Sequence, residues 1–302
     1  MSGTKVALAG ATGNLGPSIL SALLDAGFTV TVLSRKGGNS SKVPQNSNIT
    51  IKEVDYASVE SLTSALQGVE VVVSNVGSEA LGSQNPLIDA SVAAGVKRFL
   101  PSEFGSNLGN PNTAALPVFG AKVSTAKYLE EVAAKNPNFT YTLVYNGPFL
   151  DWGIAVGFIV NAKDHKATLY NGGDRAFSST TLATIGKAVV GVIKKQAETA
   201  NRAVYVQDVT TTQNKLIAYA KEKDGKDWET TVADTEENRQ NSLKALQSGK
   251  VDNIGALMVG FIMSAVFQEG YGGEWSATSD NELLGIKGYT EEELKKLVQS
   301  HL

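Results

Sequence analysis

Short apolar runs alternate with stretches of helical periodicity through the first half of the chain. Val6–Ala9 reads as a buried strand, and Asn14–Ala26 carries Leu15, Ile19, Leu23 and Ala26 on one face before Gly27, which predicts a helix. Thr29–Ser34 is β-branched and predicts a second strand; a Gly/Ser/Asn/Pro loop covers 37–48, and Thr50–Val54 predicts a third strand. Ser58 is placed to cap a helix reaching Leu66, and Val69–Asn75 predicts an intensely apolar fourth strand. Pro86 marks the first turn of a helix that runs to Gly95, and Arg98–Pro101 predicts a fifth strand.

Strands apolar on both faces belong in a parallel sheet covered by helices on each side. The alternation therefore predicts an α/β fold, a doubly wound parallel sheet of the Rossmann type, whose ligands lie beyond the carboxyl ends of the strands. After about Trp152 the rhythm loosens. Helices are expected after Thr184, Thr212, Asp234 and Thr290, the last two with capping-box spacing to Glu237 and Glu293, and short strands at Ala167–Tyr170 and Ala203–Gln207. We divide the chain into a nucleotide-binding domain at 1–155 and a smaller, mostly helical cap at 156–302, some of whose segments can return to the sheet.

Composition narrows the chemistry. The 302 residues are 42% hydrophobic and 19% charged with a net charge of −3, so no basic footprint for nucleic acid exists. There is no cysteine, and His165 and His301 are the two histidines. Thiolate catalysis, disulfides and a Cys- or His-rich metal site are therefore not expected. The first strand begins at once with no signal-peptide pattern, and the longest apolar stretch, Ile254–Phe267, is too short to span a bilayer. A cytoplasmic monomer or homodimer acting on a small molecule, without membrane or nucleic-acid partners, is the expectation.

The chemistry begins at the first strand–helix junction, Gly10-Ala11-Thr12-Gly13-Asn14-Leu15-Gly16. Gly10 suits a tight turn, Gly13 lets backbone N–H groups approach a pyrophosphate, and Gly16 lets helix and strand pack closely, with the helix N-terminus facing the phosphates. The second strand ends in Ser34-Arg35-Lys36 where an NAD-binding fold places a carboxylate on the ribose. A guanidinium there suits a 2′-phosphate, so NADP(H) is the expected cofactor. Asn75, Val76 and Gly77 at the end of the fourth strand, and Asp55 at the end of the third, border the same crevice. Asp55 suits equally a role as helix cap.

The Tyr-x-x-x-Lys pair of ordinary short-chain dehydrogenases occurs only at Tyr219–Lys223, on a charged helix in the wrong half, and reads as a solvated face. Where the pair would fall, Val118-Phe-Gly-Ala-Lys122 keeps the lysine and lacks the tyrosine. Lys122 shares a helical stripe with Val118, Thr125, Leu129 and Val132, whereas Lys127 lies with Glu131 on a charged face. An inward lysine loses hydration and becomes a usable proton donor or acceptor; the alternative is a buried lysine paired with a carboxylate or snorkelling to water.

The glycine loop, the run Ala94-Gly-Val-Lys-Arg-Phe-Leu-Pro-Ser-Glu-Phe-Gly105 and Lys122 resemble the isoflavone reductase and phenylcoumaran benzylic ether reductase group of the NmrA-like atypical short-chain dehydrogenases. Asn146–Gly153 is similar to fungal members in particular. The likeness covers residues 1–155 well and the rest in outline. It implies an NADPH-dependent reductase with an active-site lysine; in the plant enzymes that lysine precedes a Glu by eight residues, as Lys122 precedes Glu130. Matching from the next strand instead would select Lys127, because this chain carries extra residues around Lys135–Asn138. It further implies that Ser102 and Glu103, with Tyr145, Asn146, Gly147, Pro148 and Phe149, border the nicotinamide. One departure is Thr184, where members often carry Asp before Ile-Gly.

These residues support hydride transfer to a small aromatic or planar carbonyl, enone or benzylic ether, with Lys122 donating or relaying the proton. Phe104, Phe149 and Trp152 suit an apolar substrate pocket, and equally ordinary core. The rival reading is an NADP-binding redox sensor, as the resemblance to NmrA itself implies. A second rival uses the C-terminal half to bind a partner, through the exposed-looking loop Tyr271–Trp275, which suits equally a lid.

Overall fold

The structure is a computed structural model that describes residues 3–249 and 253–302. Seven parallel strands form the main sheet in the order β3-β2-β1-β4-β5-β6-β9. They are β1 (Lys5–Ala9), β2 (Thr29–Arg35), β3 (Ile49–Val54), β4 (Val71–Ser74), β5 (Arg98–Leu100), β6 (Thr140–Tyr145) and β9 (Arg202–Tyr205). The first six are linked by α1 (Gly16–Asp25) after β1, α2 (Val59–Ala65) after β3, α3 (Asn85–Ala93) after β4, and the single turn α4 (Pro111–Ala114) and α5 (Gly120–Lys135) after β5, while β2 and β3 are joined by a loop holding one 3-10 turn, Ser40–Lys42. Strand order reverses at β1, which pairs Val6–Ala9 with Val30–Leu33 on one side and with Val71–Ser74 on the other.

The period-2 pattern of β1 sorts the two cores. Val6 and Leu8 face Ile19 and Leu23 of α1 and Val189 and Val192 of a later helix, whereas Ala7 and Ala9 face Leu62, Leu87 and Ile88 of α2 and α3. Val6 to Ala9 and Val71 to Val73 are fully buried, as an interior parallel strand requires.

The second half is mostly helical. It contains α6 (Leu150–Ala155), α7 (Leu182–Lys194), α8 (Gln213–Asp224), α9 (Thr235–Ser248), α10 (Ile254–Phe267), α11 (Asn281–Leu284) and α12 (Glu291–Gln299). It also holds two small sheets, parallel β7 (Lys166–Tyr170) with β11 (Glu229–Ala233) and antiparallel β8 (Phe177–Ser179) with β10 (Val209–Thr211). Two of its segments return to the main sheet: β9 lies beside β6, and α7 packs on α1 so closely that a Cβ on Gly186 would lie 2.5 Å from the Ser18 carbonyl oxygen. A separate core around Phe177, Leu216, Met263, Phe267 and Leu294 holds the rest together.

Several local expectations are corrected. The helix placed after Thr184 starts three residues earlier, because the Thr181 hydroxyl accepts from Thr184 N and caps it. The strand expected at Ala203–Gln207 is Arg202–Tyr205, and the first helix starts at Gly16 rather than Asn14. The reciprocal capping box forms at Thr290; at Asp234 the side chain accepts from Glu237 N. Tyr219 is not on a solvated face: its ring is buried in the second core and its hydroxyl donates to Glu291 Oε1 at 2.6 Å. The apolar run Ile254–Phe267 forms α10, and among the described residues no helix is long and apolar enough to cross a membrane.

Candidate active site

The glycine loop between β1 and α1 has the shape its sequence calls for. Gly10 turns the chain at φ 78°, and a Cβ there would strike the Asn75 carbonyl oxygen at 1.9 Å. A Cβ on Gly16 would meet Gly10 O at 2.3 Å, so only glycine lets α1 approach β1. Gly13 is the opposite case: exposed, with Gly10 O at 3.6 Å the one atom near its missing Cβ, it leaves the loop open for a ligand. No side chain caps α1, whose N-cap is Leu15. In its first turn Pro17 has no N–H and Ser18 N donates to Leu15 O, so what α1 brings to the loop is chiefly the positive end of its dipole. Asn14 is exposed at the rim.

A crevice of about 1120 Å³ opens across the carboxyl ends of β1 to β4. It is lined by Gly10, Thr12, Gly13, Arg35, Lys36, Asp55, Asn75, Val76 and Gly77, which sequence reasoning singled out, and by Tyr56, Ser40 and Gln84, which it did not. Arg35 and Lys36 are exposed, and among the described residues neither forms an ion pair. Asp55 does not cap α2. That place is taken by Ser58, which accepts from Ser61 N, while Asp55 Oδ1 accepts from Ala57 N at 2.9 Å in a turn. The Tyr56 hydroxyl donates to Leu33 O at 3.0 Å, and burial pushes it above the ordinary phenol range.

The loops after β4, β5 and β6 are tied into one wall. Asn75 Nδ2 donates to Gly10 O at 3.2 Å, Ser102 Oγ to Val76 O at 2.8 Å, and Ser102 N to Gln84 Oε1 at 3.0 Å. Past β5 the chain kinks at Phe104, φ 29°, and returns so that Gly105 O accepts from both Asn146 N and Gly147 N. Gly147 is at φ 66° under the Ser178 carbonyl oxygen, which a Cβ would meet at 2.2 Å. Pro148 O accepts from Thr180 N and Ser179 Oγ, which fixes Phe149 at the mouth of the next turn.

Lys122 and Glu103 meet inside this wall. The Lys122 amine turns inward and donates to the main-chain carbonyl of Glu103, and Lys127 is exposed one turn on. Burial lowers the Lys122 amine below the usual lysine range, against the Glu103 charge, which raises it. Burial pushes the Glu103 carboxyl up to about 7, against the pull of Lys122. Tyr145 is buried beside them, and burial, with Glu103 next in weight, drives its hydroxyl above the ordinary range. Strong perturbation of both an amine and a carboxyl in one loop is characteristic of reactive sites.

The aromatic candidates separate. Phe149 and Trp152 are half-buried and meet edge to face at 6.2 Å, with Phe158 beyond, whereas Phe104 is 7% exposed in the core under the sheet. The loop Tyr271–Trp275 is not exposed as expected. Trp275 is buried against Tyr205 and Gly147, its indole donates to Val206 O at 3.2 Å, and Asn110 and Asn112 hold Gly270 O from the other side. Thr184 has a physical account too: its hydroxyl donates to Asp208 Oδ1 at 2.8 Å, and Thr181 donates N–H and hydroxyl to Oδ2 at 2.7 Å. Thr184 is thus met by a buried carboxylate from the β9–β10 connection.

Residues 2–248 match the NmrA-like family. The chain belongs to that family. Relatives include Oxidoreductase aprR of Aspergillus flavus, 36% identical over 93% of this chain and 94% of its own, and Oxidoreductase poxI of Penicillium oxalicum, 32% identical over 96% and 92%. Phenylcoumaran benzylic ether reductase TP7 of Nicotiana tabacum is 29% identical over 74% of this chain and 75% of its own. Among solved structures, the binary complex of leucoanthocyanidin reductase with NADPH from Vitis vinifera superposes with a TM-score of 0.75, covering 98% of this chain and 99% of that one at 20% identity. The fold of this chain is therefore shared at low sequence identity.

Proposed function

We propose that the chain is an NADPH-dependent reductase of a small planar substrate, an aromatic carbonyl, enone or benzylic ether. The observation that carries this reading is the inward amine of Lys122, hydrogen-bonded to the loop that ends β5 and lowered by burial. The nucleotide fits the residues present. The open Gly13, the uncapped N-terminus of α1 and the exposed Arg35 and Lys36 would hold pyrophosphate and 2′-phosphate. The fungal relatives bear the name oxidoreductase, and the solved structures sharing the fold include complexes with NADPH and with NADP+ and pinoresinol.

NADPH supplies a hydride when bound. The chain's own part is to hold the substrate, exclude water and manage the proton. Lys122 donates a proton to the oxygen on which negative charge develops, or stabilises that charge as an ammonium. Phe149 and Trp152 offer an apolar edge-to-face pair against which a planar ring can lie. Residues 1–155 would hold the nucleotide, and 156–302 would close the substrate side through the Trp275 loop.

Native mass spectrometry of the purified protein tests retention of a dinucleotide, and a panel of aromatic ketones, enones and benzylic ethers then tests NADPH oxidation. Binding followed by oxidation is the expected result. Tight binding with no turnover on any member of the panel would favour the sensor reading instead.

A further inference from the structure

Glu103 is 2% exposed, and its buried Oε2 has no hydrogen-bond partner. An unpartnered carboxyl oxygen in the interior is costly, and its retention asks for a reason. The same residue's main-chain carbonyl accepts from Lys122 Nζ, and a Cβ on Gly105 would lie 3.5 Å from that amine. The β5 loop thus grips the amine with its backbone and leaves a free acid beside it. We infer that Glu103 is a positioning residue for Lys122: its carbonyl fixes where the amine points, and its unpartnered carboxyl governs whether that amine carries a proton.

The consequence for catalysis rests on the reading of Lys122 as the reactive amine. Glu103 and Lys122 act on each other, and the next titratable group is Tyr145 of β6, which feels Glu103 and in turn meets Tyr141 of β6, Tyr205 of β9 and Glu130 of α5. All three tyrosines are raised by burial and stay neutral through the working range. The carboxyl is therefore the partner whose charge changes near neutrality, and the amine, lowered by burial, is the group that feels the change. As pH falls through about 7 the carboxyl takes up a proton, and the amine loses the anion that favoured its charged form. Lys122 becomes the stronger acid at the moment Glu103 becomes neutral.

The test is a titration by nuclear magnetic resonance of the full chain, following 13Cε of Lys122 and 13Cδ of Glu103, assigned with Lys122→Arg and Glu103→Gln. In the wild type, Glu103 is expected to titrate with a midpoint of about 7, and the Lys122 resonance to show an inflection at the same pH. In Glu103→Gln that inflection disappears and the amine's own midpoint moves down; Glu103→Asp restores it. A merely structural Glu103 would alter stability and leave the Lys122 curve in place. Lys122 titrating as an ordinary lysine, or identically in the wild type and Glu103→Gln, overturns the inference. The wild-type curves decide even if Glu103→Gln does not fold. These resonances need no substrate, so a failed NADPH-oxidation panel with the shared inflection intact counts against the reductase alone.

Discussion

Lys122 and Lys127 stand on one helix and meet opposite surroundings, and helical spacing alone separates them. Thr125 and Leu129, the buried residues of α5, share the face that carries Lys122 inward, and the charged face leaves Lys127 in water. Replacement of Lys122 by Ala is expected to keep NADPH affinity and lower turnover on any substrate of the panel by roughly 10²–10⁴-fold. Lys127→Ala should change neither, as steady-state NADPH oxidation will show. Arg35 is exposed at the end of β2 and, among the described residues, without an ion-pair partner, a cation waiting for an anion. Arg35→Glu should weaken NADPH binding by about tenfold or more while sparing NADH, because it removes a charge-assisted contact and adds repulsion; calorimetry giving equal NADPH affinity would contradict this. Glu103 shows the limit of reading residues singly. Its motif marked it as bordering the site, and nothing in the sequence told that its carboxyl would be left without a partner.

At the scale of elements, the residue whose work was least legible is Arg98. It falls in the run that resembles the reductase group, yet it does not reach the crevice. It is 1% exposed at the start of β5, where its guanidinium donates to Thr140 and Thr142 of β6, to Thr199 and to the Gln196 carbonyl beyond α7. Among the described residues no carboxylate pairs with it, and burial lowers it to about 10. Four acceptors on two segments, β6 and the connection that follows α7, make it a staple between the sheet and the returning α7–β9 unit. Arg98→Leu would strand those acceptors, and denaturant unfolding should show a loss on the order of 3 kcal/mol. The α1–α7 contact is a second element-scale feature. Gly186→Val would drive a side chain into the Ser18 carbonyl and should cost about 1–3 kcal/mol by the same measurement. Periodicity predicted that both helices exist; it carried no sign that they touch.

For the whole molecule the buried acid has a thermodynamic consequence. Glu103 rises from 4.5 in the unfolded chain to about 7 when folded, so between those values the native state holds a proton that the unfolded chain has released. Stability from this group is therefore present below 4.5 and lost as pH climbs to about 7, up to roughly 3 kcal/mol. Relative to Glu103→Gln, the wild type should be most favoured in mild acid and least favoured above neutrality, as paired urea titrations across that range would reveal. The sequence by itself determined the layered α/β plan, the glycine turn, the basic end of β2 and the inward face of α5, because each follows from local period, backbone sterics or charge within a few residues. Only the tertiary structure decided that β9 joins the sheet beside β6, that Asp208 supplies a carboxylate to Thr184, that Trp275 folds onto Gly147, and that Glu103 meets Lys122. Those contacts join residues far apart in the chain, and their energy depends on burial and on which polar groups remain unpaired after packing. Local pattern records neither.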